Sequence, residues 1–294
     1  MIVITTPTGA IGRQVLQSLL ESGQPIRVIA RDPSRLPPQV REQVDVVQGS
    51  HGDAAVVERA FAGAEAVFWL VPPDPRAESA EAAYVDFSWP ACAAFRSQGV
   101  KRVVGISAVG RGVTEDAGPS SASWKMDDLI ASTGVSYRAM TMPSMMDNIL
   151  WQVDPIKNQG MFFSPIHGDL KAPTCAKRDI ATVAAKLLLD TSWSGRDHVA
   201  VLGPEDLSFN EMATIMSDVL GKPVRFQQIS MEAFRSQMLG AGNSEPMAQA
   251  MVDMLDAKNK GLDNAEPRTP QSTTPTSFRE WCEEVLGGTL IRGA

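Results

Sequence analysis

Cysteine is scarce: Cys92, Cys175 and Cys282 are the only three in 294 residues, widely spaced and without a CxxC pair. That excludes a disulfide framework and a thiolate metal knuckle, and fits reduced thiols buried as small apolar residues. Runs of lysine and arginine are missing. With a net charge of −7, a nucleic-acid or anionic-membrane surface is excluded for want of positive charge to face phosphate. No apolar stretch nears the roughly 20 residues of a membrane span, and no basic segment precedes the short apolar start. A cytoplasmic protein with no membrane contact is expected. The histidines His51, His167 and His198 lie far apart, none with a second ligand at metal spacing, so no metal is expected. Of the two tyrosines, Tyr84 is followed four positions on by Ser88 and Tyr137 by Thr141. A Tyr-x-x-x-Lys proton donor is therefore excluded. There is no G-x-S-x-G elbow either.

What is present is alternation. Ile2–Thr5, Ile26–Ala30, Val44–Gln48, Ala66–Val71, Arg102–Ser107 and Ser136–Met142 read as strands. Between them lie helical patterns, among them Ile11, Val15, Leu16, Leu19 and Leu20 on one face, stopped by Gly23. Ala77–Gln98 reads as a helix interrupted at Pro90, and Trp124–Thr133 as another. Strands alternating with helices at this spacing predict right-handed βαβ units and a parallel sheet. The second half is less regular. Asp179 is a candidate cap for a helix to Leu189, Ser208–Leu220 is a helix, and "GKPVRFQQIS" reads as turn plus strand. Residues 263–276 read as a polar loop, "SFREWCEEVL" as a last helix, and 287–294 as a frayed tail.

The junction "TTPTGAIG" carries the chemistry. In a dinucleotide loop, glycines let main-chain N–H groups approach a pyrophosphate at a helix N-terminus. Gly9 and Gly12 keep that spacing, but Thr6 stands in the place of the first glycine, and Pro7 behind it should hold Thr6 extended. Thr5, Thr6 and Thr8 offer hydroxyls in compensation. At the end of the second strand, where an acid would bind the ribose diol of NAD, the chain has Arg31, with Arg35 one turn on. A guanidinium there suits a 2′-phosphate, so NADP(H) is favoured over NAD(H). Asp32 could instead pair with Arg31.

"TTPTGAIG", "VIARDPSRL", "VVQGSHGD", "KRVVGISAVG", "LIASTGVSYRAMTMPSMMDN" and "VLGPEDLSFNEMATIMSDVLGKPV" together resemble the NmrA-like branch of the atypical short-chain dehydrogenases, which includes NADPH-quinone reductases, azoreductase-like proteins and NADP-sensing regulators. The resemblance runs to about Leu286. It implies an α/β fold: a Rossmann-type doubly wound parallel sheet over 1–150 that binds NAD(P), and a smaller C-terminal α/β substrate portion over 151–286, with a cleft between them. It places Thr6, Thr8, Gly9, Ala10, Ile11 and Gly12 around the diphosphate and Arg31 on the 2′-phosphate. Ser50 and His51 fall near the adenine, Leu70, Val71 and Pro72 beside the ribose, and Ser107, Ala108 and Pro143 beside the nicotinamide. Ser144, Met145 and Asn148 belong to the substrate wall.

The chain departs from the family where some members carry His or Lys, at Ser123, a few residues before Asp127. No catalytic residue is assigned; Lys125, His167 and Ser107 are the candidates, and no acid or histidine is placed near Ser107 by sequence. Hydride transfer to a quinone-like or other conjugated acceptor needs little acid assistance, because water can protonate the product. An NAD(P)H-dependent oxidoreductase acting on such a small molecule is therefore the first reading, helped by a loop, "RGVTEDAGPSSAS", able to close over a ligand. The alternative is a non-catalytic NADP(H) sensor acting through a protein partner. The oligomeric state stays open, a homodimer among the options.

Overall fold

A computed structural model describes residues 1–113 and 116–292, with side chains through Thr289. The first half runs β1 (Ile2–Thr5), α1 (Ala10–Leu20), β2 (Ile26–Ala30), α2 (Pro38–Arg41), β3 (Asp45–Gln48), α3 (Ala54–Phe61), β4 (Ala66–Trp69), α4 (Phe87–Ser97), β5 (Arg102–Ala108), α5 (Pro119–Ser132) and β6 (Ser136–Met142). There follow β7 (Ser144–Met145), α6 (Val153–Gln159), β8 (Met161–Ser164), β9 (Ala172–Cys175), α7 (Lys177–Leu189), β10 (Arg196–Ala200), β11 (Asp206–Leu207) and α8 (Phe209–Leu220). The chain ends with β12 (Arg225–Gln228), α9 (Met231–Gly240), α10 (Glu245–Asn259), α11 (Phe278–Trp281) and α12 (Gly287–Arg292). Among the described residues, no helix is long and apolar enough to cross a membrane.

Seven strands form one sheet in the order β10-β6-β5-β4-β1-β2-β3. β1 runs parallel to β2 and β4, as do β2 to β3 and β4 to β5. This is the doubly wound α/β sheet that the alternation predicts. From β1 the chain winds outward one way through β2 and β3, then restarts on the other side at β4. The gap between β1 and β4 is thus the switch point, where such sheets take ligands at the carboxyl ends of their strands. β1 and β4 are buried throughout, as strands covered on both faces must be. Phe61 and Phe95 stack in the core, their ring centroids 5.1 Å apart.

Pro90 does not break its helix. The turn before α4, Ala82–Asp86, is a π-turn, and its extra residue absorbs the clash a proline ring makes with the carbonyl four residues back.

The chain divides into two compact units that interleave in sequence: Met1–Ala108, Ala122–Thr141 and Ile180–Val199 form the first, Val109–Ser121, Met142–Asp179 and Ala200–Ala294 the second. A boundary at residue 150 misses this interleaving, because α7 leads back to β10, which joins the edge of the sheet beside β6.

In the second unit, β11-β9-β7 form a small sheet and β12 pairs with β8 in parallel. Its core gathers Phe162, Met216, Phe278 and Trp281. Ser208 starts α8 with a full capping box, its side chain accepting from Glu211 N–H while Glu211 reaches back. Asp179 is not a cap. It sits buried in the first turn of α7 and accepts from the Thr276 N–H (3.1 Å) and hydroxyl (2.8 Å). That ties down part of the stretch read as a polar loop, as does Thr274 N–H on the Leu202 carbonyl at 2.7 Å. The stretch read as a frayed tail continues from 287 as α12 to Arg292, with the Thr289 hydroxyl on the Val285 carbonyl at 2.7 Å; 293–294 lie outside the described residues. The stretch read as a loop able to close (111–123) follows one packed glycine, contains another, and passes into α5 at Pro119. A Cβ on Gly110 would lie 2.4 Å from Leu262, and one on Gly118 1.9 Å from the Ala250 carbonyl oxygen. Thr114 and Glu115 of that loop lie outside the described residues.

Candidate functional site

The turn from β1 into α1 opens at the switch point. Its first finding overturns the expectation of an extended Thr6: the residue lies in the left-handed region, with φ of +52°. A β-branched residue there costs roughly 1–2 kcal/mol, so the surrounding turn imposes on Thr6 the conformation a glycine would take freely. The reason is visible in its contacts. Thr6 carbonyl accepts from Gly9 N–H at 3.0 Å, closing the turn, and a Cβ on Gly12 would stand only 2.2 Å from that carbonyl oxygen. Thr6 Oγ1 is buried and has no hydrogen-bond partner among the described residues. The Thr5 hydroxyl is committed elsewhere. It donates to the Phe68 carbonyl (2.9 Å) and accepts from Leu70 N–H (3.0 Å), pinning β1 to β4. Thr6 and Thr8 are both half-buried, whereas Thr5 is fully buried.

Helix α1 begins on Gly9 with no side-chain cap and no acidic residue in its first turn. By contrast α3, α8, α9 and α10 each start on a capping Asp or Ser. The uncapped N–H groups and the positive helix end make the start of α1 a place for an anion.

At the end of β2, Arg31 is exposed and makes no ion pair among the described residues. Asp32 does not pair with it. Its carboxylate takes the Ser34 N–H (3.0 Å) and hydroxyl (2.6 Å), which hold its pKa below the usual range. Ser50 is half-buried and accepts from Gly52 N–H at 3.2 Å. His51 is buried, edge-on to Trp69 and Phe87, and its Nε2 donates to the Leu70 carbonyl at 3.0 Å. Burial pushes its pKa down to about 4, so the ring is neutral at pH 7. Leu70 is thus held by both Thr5 and His51, while Pro72 is exposed and Val71 buried.

Ser107 corrects the sequence reading, for an acid does stand beside it. Its hydroxyl donates to Asp127 Oδ2 at 2.6 Å, and Tyr137 donates to Asp127 Oδ1 at 2.6 Å. All three are in the first unit, as is Trp124, whose indole N–H takes the Ala108 carbonyl at 2.9 Å. Asp127, Tyr137 and Trp124 escaped the sequence reading as site neighbours. The available signal was spacing: Ser123, Asp127 and Ile130 recur at four and three residues on α5, which puts two polar side chains on a core-facing stripe. Lys125 points away from this group and pairs in the open with Glu81.

In the second unit, Pro143 is buried and Ser144, Met145 and Asn148 are half-buried. Ser144 donates to Asp263 Oδ2 at 3.2 Å, and the same carboxylate binds Lys258 Nζ at 2.6 and 2.7 Å. His167 is exposed; its Nδ1 accepts from Gln228 at 3.1 Å. A surface hollow of about 610 Å³ lies between Pro204, Arg268 and Thr273–Pro275, and no predicted site residue lines it. Its one charged group, Arg268, is already bound to Asp206 and to the Gly203 carbonyl. Burial raises the thiol pKa values of Cys92 and Cys282 to about 12 and that of Cys175 further, so none is a nucleophile at neutral pH. Among the described residues, no three His, Cys, Asp or Glu side chains gather as a metal site.

The sequence model of the NmrA-like family matches residues 1–282. A (4-alkanoyl-5-oxo-2,5-dihydrofuran-3-yl)methyl phosphate reductase of Streptomyces griseus is 32% identical over 97% of this chain and 97% of its own. An NAD(P)H azoreductase of Xenophilus azovorans is 27% identical over 86% of each chain. An NADPH-dependent quinone oxidoreductase of Escherichia coli, solved with NADPH, superposes with a TM-score of 0.81 at 21% identity, covering 97% of this chain and 100% of that one. At that identity it is the fold that is shared.

Proposed function

The chain belongs to the NmrA-like family, and from that premise we propose that it is an NAD(P)H-dependent oxidoreductase delivering hydride to a conjugated small-molecule acceptor, quinone-like or an unsaturated carbonyl compound. The observation that carries the reading is the start of α1. It is left without a side-chain cap or an acid, at a switch point where Gly12 tolerates no Cβ and Thr6 is held in a glycine's conformation. These residues fit a diphosphate: with the Gly9 N–H closing the turn on the Thr6 carbonyl, the N–H groups of Thr8, Ala10, Ile11 and Gly12 would face its oxygens. Arg31, without an ion pair among the described residues, would take the 2′-phosphate of NADP(H) in preference to NAD(H). Ser50 and His51 would border the adenine, and Leu70, Val71 and Pro72 the ribose. Ser107, Ala108 and Pro143 would border the nicotinamide, and Ser144, Met145 and Asn148 the substrate.

A bound reduced nicotinamide supplies the hydride. The residues bind, orient and exclude water, and two of the three candidate acids are engaged elsewhere. Lys125 is paired with Glu81 and the Ser107 proton is held by Asp127. An acceptor that stabilises charge by conjugation suits such a site, whereas an unactivated ketone needs a positioned acid. Three of the relatives reduce, by their names, an unsaturated furanone, an azo compound and a quinone. The same want of an acid favours a second reading, an NADP(H) sensor without turnover.

Purified protein mixed with NADPH and a panel of quinones, azo dyes and unsaturated lactones tests the choice. Acceptor-dependent loss of reduced-nicotinamide absorbance is expected. Tight NADPH binding with no oxidation by any acceptor would favour the sensor. Arg31→Ala is expected to weaken NADPH binding by about tenfold or more and to leave NADH nearly unchanged; equal losses would remove Arg31 from the 2′-phosphate.

A further inference from the structure

The Ser107–Asp127–Tyr137 group is built with care that hydride delivery does not require. Asp127 and Tyr137 are sealed, at 2% and 1% exposure, while Ser107 keeps 7%. Gly105 makes the room: a Cβ there would stand 2.2 Å from the Tyr137 hydroxyl oxygen. Both carboxylate oxygens of Asp127 accept from a hydroxyl at 2.6 Å. A serine has one proton and two lone pairs. With its proton committed to Asp127, Ser107 meets any further group as an acceptor.

Ser107 lies next to the carboxyl end of β5, and β5 follows β4 outward from the switch point. At about 4.8 Å per strand, β5 is roughly 10 Å from β1 along the row of strand ends. A dinucleotide whose diphosphate sits at the start of α1 extends its nicotinamide half along that row.

We propose that Ser107, held as an acceptor by Asp127, takes a hydrogen bond from the carboxamide N–H of the nicotinamide, with Asp127 and Tyr137 as positioning residues. The inference rests on the cofactor reading above, and adds to it the polarity of one contact and the residues that set it. Ser107 cannot at the same time protonate a substrate, which matches an acceptor chemistry that leaves protonation to water.

Three ligands separate the possibilities in binding titrations: NADPH; its 3-acetylpyridine analogue, which has a methyl group in place of the carboxamide nitrogen; and 2′-phospho-ADP-ribose, which has no nicotinamide. Wild-type protein is expected to bind NADPH about fivefold more tightly than the analogue, the factor one net hydrogen bond contributes. Ser107→Ala should erase that difference. Asp127→Asn, with one acceptor oxygen for two hydroxyls, should reduce it, and the double variant should show no further loss. Affinity for 2′-phospho-ADP-ribose should stay constant throughout. Discrimination that survives Ser107→Ala overturns the inference. So does a parallel loss of 2′-phospho-ADP-ribose affinity, which would assign the group to folding. If melting shows Asp127→Asn unfolded, Ser107→Ala, with Ser107→Thr as the rescue, decides alone. Wild-type protein that binds none of the three ligands would strike down the cofactor reading itself.

Discussion

Asp127 and Asp263 are buried almost equally, at 2% and 4% exposure, and each accepts a hydrogen bond from a serine named in the proposed site. Their surroundings differ. In the first unit Asp127 takes two hydroxyls, from Ser107 and Tyr137. In the second, Asp263 faces the ammonium of Lys258 with both oxygens. An ion pair fixes a carboxylate by charge and makes each partner depend on the other. Hydroxyl donors fix it by direction, and in doing so fix the direction of their own protons. The ion pair suits a scaffold; the hydroxyl-held carboxylate suits a place where a lone pair must point at a ligand.

The largest expected effect breaks the charged side of this comparison. Lys258→Met strands a buried carboxylate and should cost about 3–5 kcal/mol of unfolding free energy in denaturant titrations. Removing both charges, Lys258→Met with Asp263→Leu, should recover most of that. A double variant as unstable as the single one would mean that packing, not charge, is what Lys258 provides.

The first unit also buries a titratable ring, and keeps it neutral. The pKa of His51 is about 4 when folded, against an ordinary 6.5. Between those values the unfolded chain binds a proton that the folded chain refuses, so stability falls as pH drops from about 6.5 to about 4. The slope from this group is about 1.4 kcal/mol per pH unit in that window. His51→Phe should flatten the fall between pH 7 and pH 5 by up to about 2 kcal/mol; an unchanged slope would show that His51 is not the group responsible.

Smallest is the loss of one hydroxyl from the carboxylate held by hydroxyls. Tyr137→Phe should cost about 1–2 kcal/mol, since Asp127 Oδ1 loses a donor. A cost as large as that of Lys258→Met would erase the distinction between the two arrangements.

Much of the first unit could be read from residues near one another in sequence. β1, the Gly9 and Gly12 turn, α1 and the arginine ending β2 follow from periodicity and a short motif. The same holds for α8, whose capping box is written in "SFNE". What stayed hidden needs partners far along the chain. Thr6 looked extended because Pro7 follows it; only the packing of Gly12 on its carbonyl reveals the left-handed turn. Asp127 lies twenty residues from Ser107, and Asp179 lies ninety-seven from Thr276. The return of 180–199 to the sheet is likewise a matter of β10 finding an edge, which no local pattern announces.

Amide hydrogen exchange with and without NADPH tests most directly whether the turn after β1 holds the diphosphate. NADPH should slow exchange at the N–H groups of Thr8 and Ala10–Gly12 and leave the first turn of α10 unaffected. Saturating NADPH that protects other segments while Thr8 and Ala10–Gly12 exchange as fast as before would contradict the account.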